Sequence, residues 1–154
     1  MQYPVTLHLF ALIRRPIAVV ALLLAGCSQT ELPTASGTPV VWEQLRGEWV
    51  LVNYWAEWCK PCLQEIPELN ALDRAADVSV LGVNFDGVSV PALNDLRERM
   101  GIEFTLLTRD PGPDFGWQLP MALPATFVVT PEGDLLEARF GPQTEAQLRE
   151  LMSR

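Results

Sequence analysis

Apolar and polar positions fall into blocks that read as alternating strands and helices. Trp49 to Tyr54 is an apolar run broken only by Asn53, the pattern of a buried strand. Val78 to Phe85 is a second such run, closed by Asp86-Gly87. Between them a helix is expected from Cys59 or Lys60 to about Ala76, with Pro67 inside it as a kink. Ser89 is placed to cap a helix running to about Met100, and Gly101 to stop it. Phe104 to Leu107 reads as a short strand, Asp110-Pro111-Gly112-Pro113 as a loop, and Asp114 to Gln118 as a helical turn. Ala125 to Thr130 and Leu135 to Phe140 look like a hairpin, and Thr144-Glu145-Ala146-Gln147 has capping-box spacing for a last helix ending near Met152. Val40 to Leu45 opens the ordered part without declaring its type, and Arg46-Gly47-Glu48 is a turn. Strands alternating with helices and closing on a hairpin predict an α/β fold, a central mixed β-sheet flanked by helices on both faces.

The N-terminus has a different pattern. Arg14-Arg15-Pro16 precedes the apolar run Ile17 to Leu24, and small residues follow. That order describes a secretory signal, and the run is too short for a comfortable membrane span. Leu24-Ala25-Gly26-Cys27 resembles a bacterial lipobox. The resemblance implies a lipoprotein signal peptide over residues 1–26, cleavage before Cys27, and a lipid on that cysteine. An uncleaved anchor and soluble secretion are the alternatives. Ser28, rather than an aspartate, favours the outer membrane over the inner. Residues 27–39, rich in Ser, Thr, Pro and Gly, read as a flexible tether from the lipidated cysteine, with the domain over 40–154.

Composition narrows the classes further. The chain has 154 residues, enough for one domain with one core. Formal net charge is −8; without Arg14 and Arg15 the rest carries 9 basic residues against 19 acidic, a net −10. A domain so acidic repels nucleic acid and anionic lipid, and no Gly-rich phosphate loop or repeat is present. The only histidine is His8, inside the expected signal. A mature chain without histidine excludes Cys–His proteases and metal sites built on imidazole, so no metal is expected.

The chemistry concentrates in Cys59-Lys60-Pro61-Cys62, where a strand gives way to a helix. A cysteine at a helix N-terminus meets unpaired backbone N–H groups and the positive end of the helix dipole. Both favour thiolate over thiol and pull the pKa below the ~8.5 of a free cysteine. Cys62 lies one turn in, close enough to close a small disulfide, and such a pair exchanges two electrons through a mixed disulfide. A structural disulfide or half of a zinc site is the plainer alternative, but zinc needs four ligands and no second Cys pair is available.

Trp55-Ala56-Glu57-Trp58-Cys59-Lys60-Pro61-Cys62 resembles the active-site segment of thioredoxin-fold proteins. Pro67 sits where that fold carries a helix proline. Leu123-Pro124-Ala125-Thr126, running into Phe127-Val128-Val129, looks like its cis-proline loop, and Pro131-Glu132-Gly133-Asp134 like its hairpin turn. The segment from Ser89 to Leu107 and the lipobox resemble the TlpA/ResA-like branch of membrane-tethered thiol-disulfide proteins. Many members carry a β-hairpin before the first core strand, and the chain leaves little room for one between Pro39 and Trp49.

The resemblance implies a division of labour. Cys59 is the exposed attacking thiol and Cys62 the buried resolving one, forming a redox-active disulfide with no other cofactor. Lys60 and Pro61 tune the pair's poise. Trp58, Leu123 and Pro124 form the surface for a substrate chain, while Trp55 packs in the core and Glu57 is exposed. Asn53 stands where thioredoxins bury an acid, and Glu65, three residues past Cys62, can replace it as the proton shuttle. The expected partners are disulfide-containing proteins, a membrane thiol reductase as electron donor, and the membrane through the lipid. The expected location is a bacterial cell envelope, facing the periplasm. A dithiol oxidant is the main alternative. A peroxiredoxin-type peroxidase needs a threonine where Ala56 stands, and non-catalytic modules typically lose one cysteine.

Overall fold

The computed structural model describes residues 29–153. The expected signal peptide over residues 1–26 and the lipidation site Cys27 lie outside the described residues. Among those residues, no helix is long and apolar enough to cross a membrane.

The elements in chain order are β1 (Glu31–Leu32), β2 (Val40–Val41), a 3-10 turn (Trp42–Leu45), β3 (Trp49–Trp55), α1 (Lys60–Asp73), β4 (Val78–Asn84), α2 (Val90–Met100), β5 (Thr105–Leu107), α3 (Gly112–Phe115), β6 (Ala125–Val129), β7 (Leu135–Phe140) and α4 (Glu145–Met152). Five strands form one mixed sheet in the order β5-β4-β3-β6-β7. β3, β4 and β5 run parallel, while β6 and β7 are antiparallel to their neighbours. β3 is central, and Val50 to Trp55 are all buried, as its unbroken apolar run requires.

Alternation along β3 splits the core in two. Leu51 and Trp55 face Cys62, Ile66, Leu69 and Leu72 of α1, Leu93 and Leu96 of α2, and Leu148 and Leu151 of α4. Val50, Val52 and Tyr54 face the other way, with Leu81, Val83, Phe127, Leu32 and Trp42. The three longer helices therefore share one face, and the opposite face is closed by the 3-10 turn, α3 and the N-terminal arm. The capping box of α4 forms, with Gln147 N–H on Thr144 Oγ1 at 3.3 Å and Thr144 N–H on Gln147 Oε1 at 3.0 Å.

Several boundaries move. α1 stops at Asp73, where the Asp73 carboxylate takes the N–H of Val80 on the next strand at 2.8 Å. Ser89 occupies the N-cap of α2 without a side-chain cap bond. α3 begins at Gly112 rather than Asp114 and is closed by Gly116 at φ 70.

The larger correction concerns the tether. From Thr30 onward it is built into the domain. β1 and β2 pair as an antiparallel hairpin, with Leu32 opposite Val40. Leu32 is fully buried. Thr30 N–H donates to Glu43 Oε2 at 3.0 Å, and Trp42 N–H to the Thr30 carbonyl at 2.9 Å. The chain then runs along β5: Thr34 bridges Leu107, Ala35 N–H meets the Leu106 carbonyl, and Thr108 N–H meets the Pro33 carbonyl, each bond at 2.9 Å. A short parallel edge strand exposes a row of unpaired backbone groups, and this arm covers it. The hairpin expected to lack room between Pro39 and Trp49 thus forms by drawing its first strand, Glu31–Leu32, from the residues that composition assigns to the tether and pairing it with Val40–Val41.

Candidate functional site

β3 delivers the chain to the top of the sheet, and Ala56, Glu57 and Trp58 turn it into α1. Cys59 is the N-cap residue of that helix, and its Sγ accepts the N–H of Cys62 at 3.3 Å. Sulfur therefore occupies the place a serine or aspartate oxygen takes at an ordinary helix start. Cys59 and Cys62 are joined in a disulfide with Cα atoms 5.3 Å apart. The expectation of an exposed Cys59 is corrected here. In the disulfide it is 4 % exposed, against 0 % for Cys62, because its sulfur turns back over the first turn of the helix. Lys60 is exposed and Pro61 half-buried, inside the first turn of α1. Pro67 also lies within the helix, where its missing N–H leaves one backbone carbonyl without its usual donor.

The flanking aromatic residues separate as their positions suggest. Trp55 is buried in the core. Trp58 is exposed, with its indole N–H on the Asp86 carboxylate. Glu57 is exposed and pairs with Arg99 at 2.7 Å. The Leu123–Pro124 peptide bond is cis. Leu123 is half-buried and packs against the core cluster that contains both cysteines, while Pro124 is buried. Just before them Leu119 and Met121 are exposed, giving this side of the molecule an apolar rim.

Glu65 is 1 % exposed, the most unusual burial in the site. It is three residues past Cys62, so both project from the same side of α1 toward the sheet. Its Oε1 accepts from Asn53 Nδ2 at 2.7 Å, and its Oε2 from the backbone N–H of Gln143 at 3.0 Å. Burial pushes the carboxyl up to about 7, while the Gln143 and Asn53 bonds pull the other way. Asn53 Nδ2 also donates to Thr126 Oγ1 at 3.0 Å. Asn53 does not titrate, but it holds the group that does.

Thr126 and Gln143 are site residues that sequence reasoning misses. Asn53 and Thr126 face each other in the β3–β6 register, so Thr126 is found only once that pairing is known. Gln143 acts on Glu65 through a backbone N–H, which almost any residue could supply. Among the described residues, no group of three or more His, Cys, Asp or Glu is arranged to hold a metal ion.

A helix N-terminus carrying a cysteine pair beside a buried acid is an arrangement suited to thiol exchange. The sequence matches the AhpC/TSA family over residues 26–138. The chain belongs to the AhpC/TSA family. Within its wider kinship it is 38% identical over 115 residues to the thiol:disulfide interchange protein HelX of Rhodobacter capsulatus, covering 73% of this chain and 64% of that protein. The chain thus spans a little under two thirds of that relative's length. It is 26% identical over 125 residues to the thiol-disulfide oxidoreductase ResA of Bacillus subtilis, covering 79% of this chain and 69% of that protein. A thioredoxin-family thiol:disulfide interchange protein from Chlorobium tepidum TLS superposes with a TM-score of 0.66 at 21% identity, covering 81% of this chain and 91% of that one. That likeness shows the thioredoxin-like fold.

Proposed function

We propose that this AhpC/TSA family member is an extracytoplasmic thiol-disulfide oxidoreductase that reduces protein disulfides through Cys59 and Cys62. The observation that carries the reading is the disulfide at the N-cap of α1 with the buried Glu65 carboxyl one turn beyond it.

In the reducing cycle both cysteines start as thiols. The Cys59 thiolate, favoured by the Cys62 N–H, attacks one sulfur of a substrate disulfide. The substrate S–S bond breaks, one substrate thiolate leaves, and a mixed disulfide forms. Cys62 gives its proton to the Glu65 carboxylate and attacks Cys59 Sγ. The mixed disulfide breaks, the second substrate thiolate leaves, and Glu65 returns the proton to it. Two electrons have passed to the substrate, and the protein holds the Cys59–Cys62 disulfide seen in the structure. Trp58, Leu123 and Pro124 form the surface against which the substrate chain lies. Lys60 and Pro61 adjust the poise of the pair.

An oxidising exterior requires that electrons be resupplied, and a membrane thiol reductase is the donor this reading calls for. The lipobox at Cys27 supports an anchored protein in a bacterial envelope, facing the periplasm, with Ser28 favouring the outer membrane.

The second reading is a dithiol oxidant, favoured by the N–H that Cys59 Sγ accepts, since a stabilised thiolate makes the disulfide easier to reduce. A peroxidase reading is opposed by Ala56, buried where that chemistry needs a hydroxyl. Insulin reduction tests the proposal. Cys59→Ser abolishes turnover, and Cys62→Ser accumulates a mixed disulfide; activity surviving Cys59→Ser would sink it. The reduction potential then decides direction. A value of about −270 mV marks a reductant, and one of about −120 mV an oxidant.

A further inference from the structure

Glu65 is not buried alone; a closed circuit of hydrogen bonds runs through it. Starting at the cis-proline segment, the Pro124 carbonyl accepts the N–H of Gly141 at 2.9 Å. The Gly141 carbonyl accepts from Gln143 Nε2 at 2.8 Å, and the Gln143 backbone N–H reaches Glu65 Oε2 at 3.0 Å. From Glu65 Oε1 the path continues to Asn53 Nδ2 at 2.7 Å, and from there to Thr126 Oγ1 at 3.0 Å. Thr126 lies two residues after Pro124, which closes the ring. Thr126 is 0 % exposed and Gln143 6 %.

We propose that Thr126 and Gln143 are positioning residues, each fixing one oxygen of Glu65 and together tying that acid to the Leu123–Pro124 segment. The inference rests on the proton-shuttle reading of Glu65. Thr126 engages Asn53, so that the amide presents its N–H to Oε1. The Gln143 side chain braces the short turn after β7, so that its own backbone N–H stays on Oε2. Gln143 Oε1 is held in turn by Arg139 Nε at 3.2 Å.

None of the charged neighbours bonds Glu65 itself. Glu68 on α1 accepts the Glu145 backbone N–H at 2.9 Å, Glu145 pairs with Arg149 at 2.7 Å, and Arg139 on β7 is shared between Glu137 at 3.0 Å and the Gln143 side chain. The two cysteines share the core cluster on this face of the sheet and carry a proton there only when the disulfide is reduced. Hydrogen bonds rather than neighbouring charges are therefore what the protein can use to adjust Glu65 against its burial.

The test is the pH profile of insulin reduction by the whole protein, for Thr126→Val, Thr126→Ser, Gln143→Ala and Glu65→Gln. Thr126→Val keeps the shape and removes the acceptor, and Gln143→Ala keeps the backbone N–H and removes its brace. Both shift the Glu65-dependent limb to higher pH, by about 0.5–1 unit for Thr126→Val and less for Gln143→Ala. Thr126→Ser restores the wild-type midpoint. A role in stability alone lowers the thermal midpoint of these variants and leaves the profile in place, which overturns the proposal. If Glu65→Gln itself leaves the profile unchanged, the shuttle reading falls and takes this inference with it. If Glu65→Gln removes the limb while Thr126→Val and Gln143→Ala leave it unmoved, only the positioning claim fails.

Discussion

The indole N–H of Trp58 is aimed at the carboxylate of Asp86, 3.0 Å from one oxygen and 3.2 Å from the other, although the ring is 64 % exposed. Asp86 lies in the turn after β4, and its neighbour Phe85 is bonded through N–H to the Trp55 carbonyl at 2.8 Å. The strand end therefore fixes an apolar plate immediately before Cys59. An exposed aromatic held in one orientation offers contact area at little entropic cost. Trp58→Ala is expected to raise KM for insulin about tenfold, the size of a modest contact hot spot. The same variant should leave the rate with a small aromatic disulfide within about twofold. Asp86→Ala, which frees the ring, should raise KM for insulin by less. Equal losses on both substrates would show that the ring serves the cysteines and not the substrate.

Glu65 makes stability depend on pH in the direction opposite to an ordinary paired carboxylate. Its pKa is raised from 4.5 in the unfolded chain to about 7 in the fold, with burial as the main cause. Between those values the folded state holds a proton that the unfolded chain has lost. Stability is full below about pH 4.5, falls as pH rises through this window, and levels off above about 7. The whole loss is on the order of 3 kcal/mol. Urea unfolding of wild type and Glu65→Gln from pH 4.5 to 8 isolates the contribution, because shifts elsewhere, such as the burial-raised Asp73, cancel in the difference. The variant should be the more stable protein at pH 8. A constant difference across the window would mean that Glu65 keeps its charge in the fold.

What is legible from sequence follows how local the determinant is. β3, β4 and β6 are visible because their apolar runs are long enough to demand burial, and β7 because the Pro131-Glu132-Gly133-Asp134 turn ties it to β6. The capping box of α4 lies within four residues. The cysteine pair is visible for the same reason, and Glu65 because a helix brings position i+3 onto the same side as Cys62. The arm from Thr30 to Pro39 is invisible, because its order comes from partners far along the chain: Glu43, Leu106 and Leu107. Its Ser, Thr, Pro and Gly residues would suit a loose linker equally well. Thr126 needs the β3–β6 register, and the Gln143 backbone N–H leaves no mark on the sequence.

That hidden arm gives a stability prediction. Leu32 is fully buried against Trp42 and the β3 face of the core, in a segment with no other large apolar side chain. Leu32→Ala removes the anchor and leaves a cavity, at a cost of about 2–5 kcal/mol. Amide exchange should then quicken at Ala35 and Thr108, whose N–H groups carry the arm along β5. The urea midpoint falls with it if the arm is part of the cooperative fold. A Leu32→Ala protein of unchanged stability would return these residues to the role of a tether.

Gly82 carries the last prediction, since it has no room for a side chain. It is buried on β4, opposite Asn53 in the parallel register with β3. A Cβ built there would lie 2.6 Å from Leu106 Cδ2, 2.7 Å from Phe104 Cε2 and 3.2 Å from Trp55 Nε1. The leucine methyl is the end of a flexible side chain and can turn away. The Phe104 ring is 0 % exposed and has little free space to move into. The Trp55 indole is held by packing alone, because its buried N–H has no hydrogen-bond partner. An added methyl should therefore displace the indole as well as strain the core. Gly82→Ala is expected to cost about 1–3 kcal/mol, the usual range for an overpacked core. It should do so by lowering the urea midpoint with an unchanged m-value. Because Trp55 leads directly into the Ala56–Cys59 turn, the rate of insulin reduction should fall in the folded variant too. A variant that loses stability but keeps full activity would show that the turn is held by the helix cap at Cys59 and not by the indole beneath it.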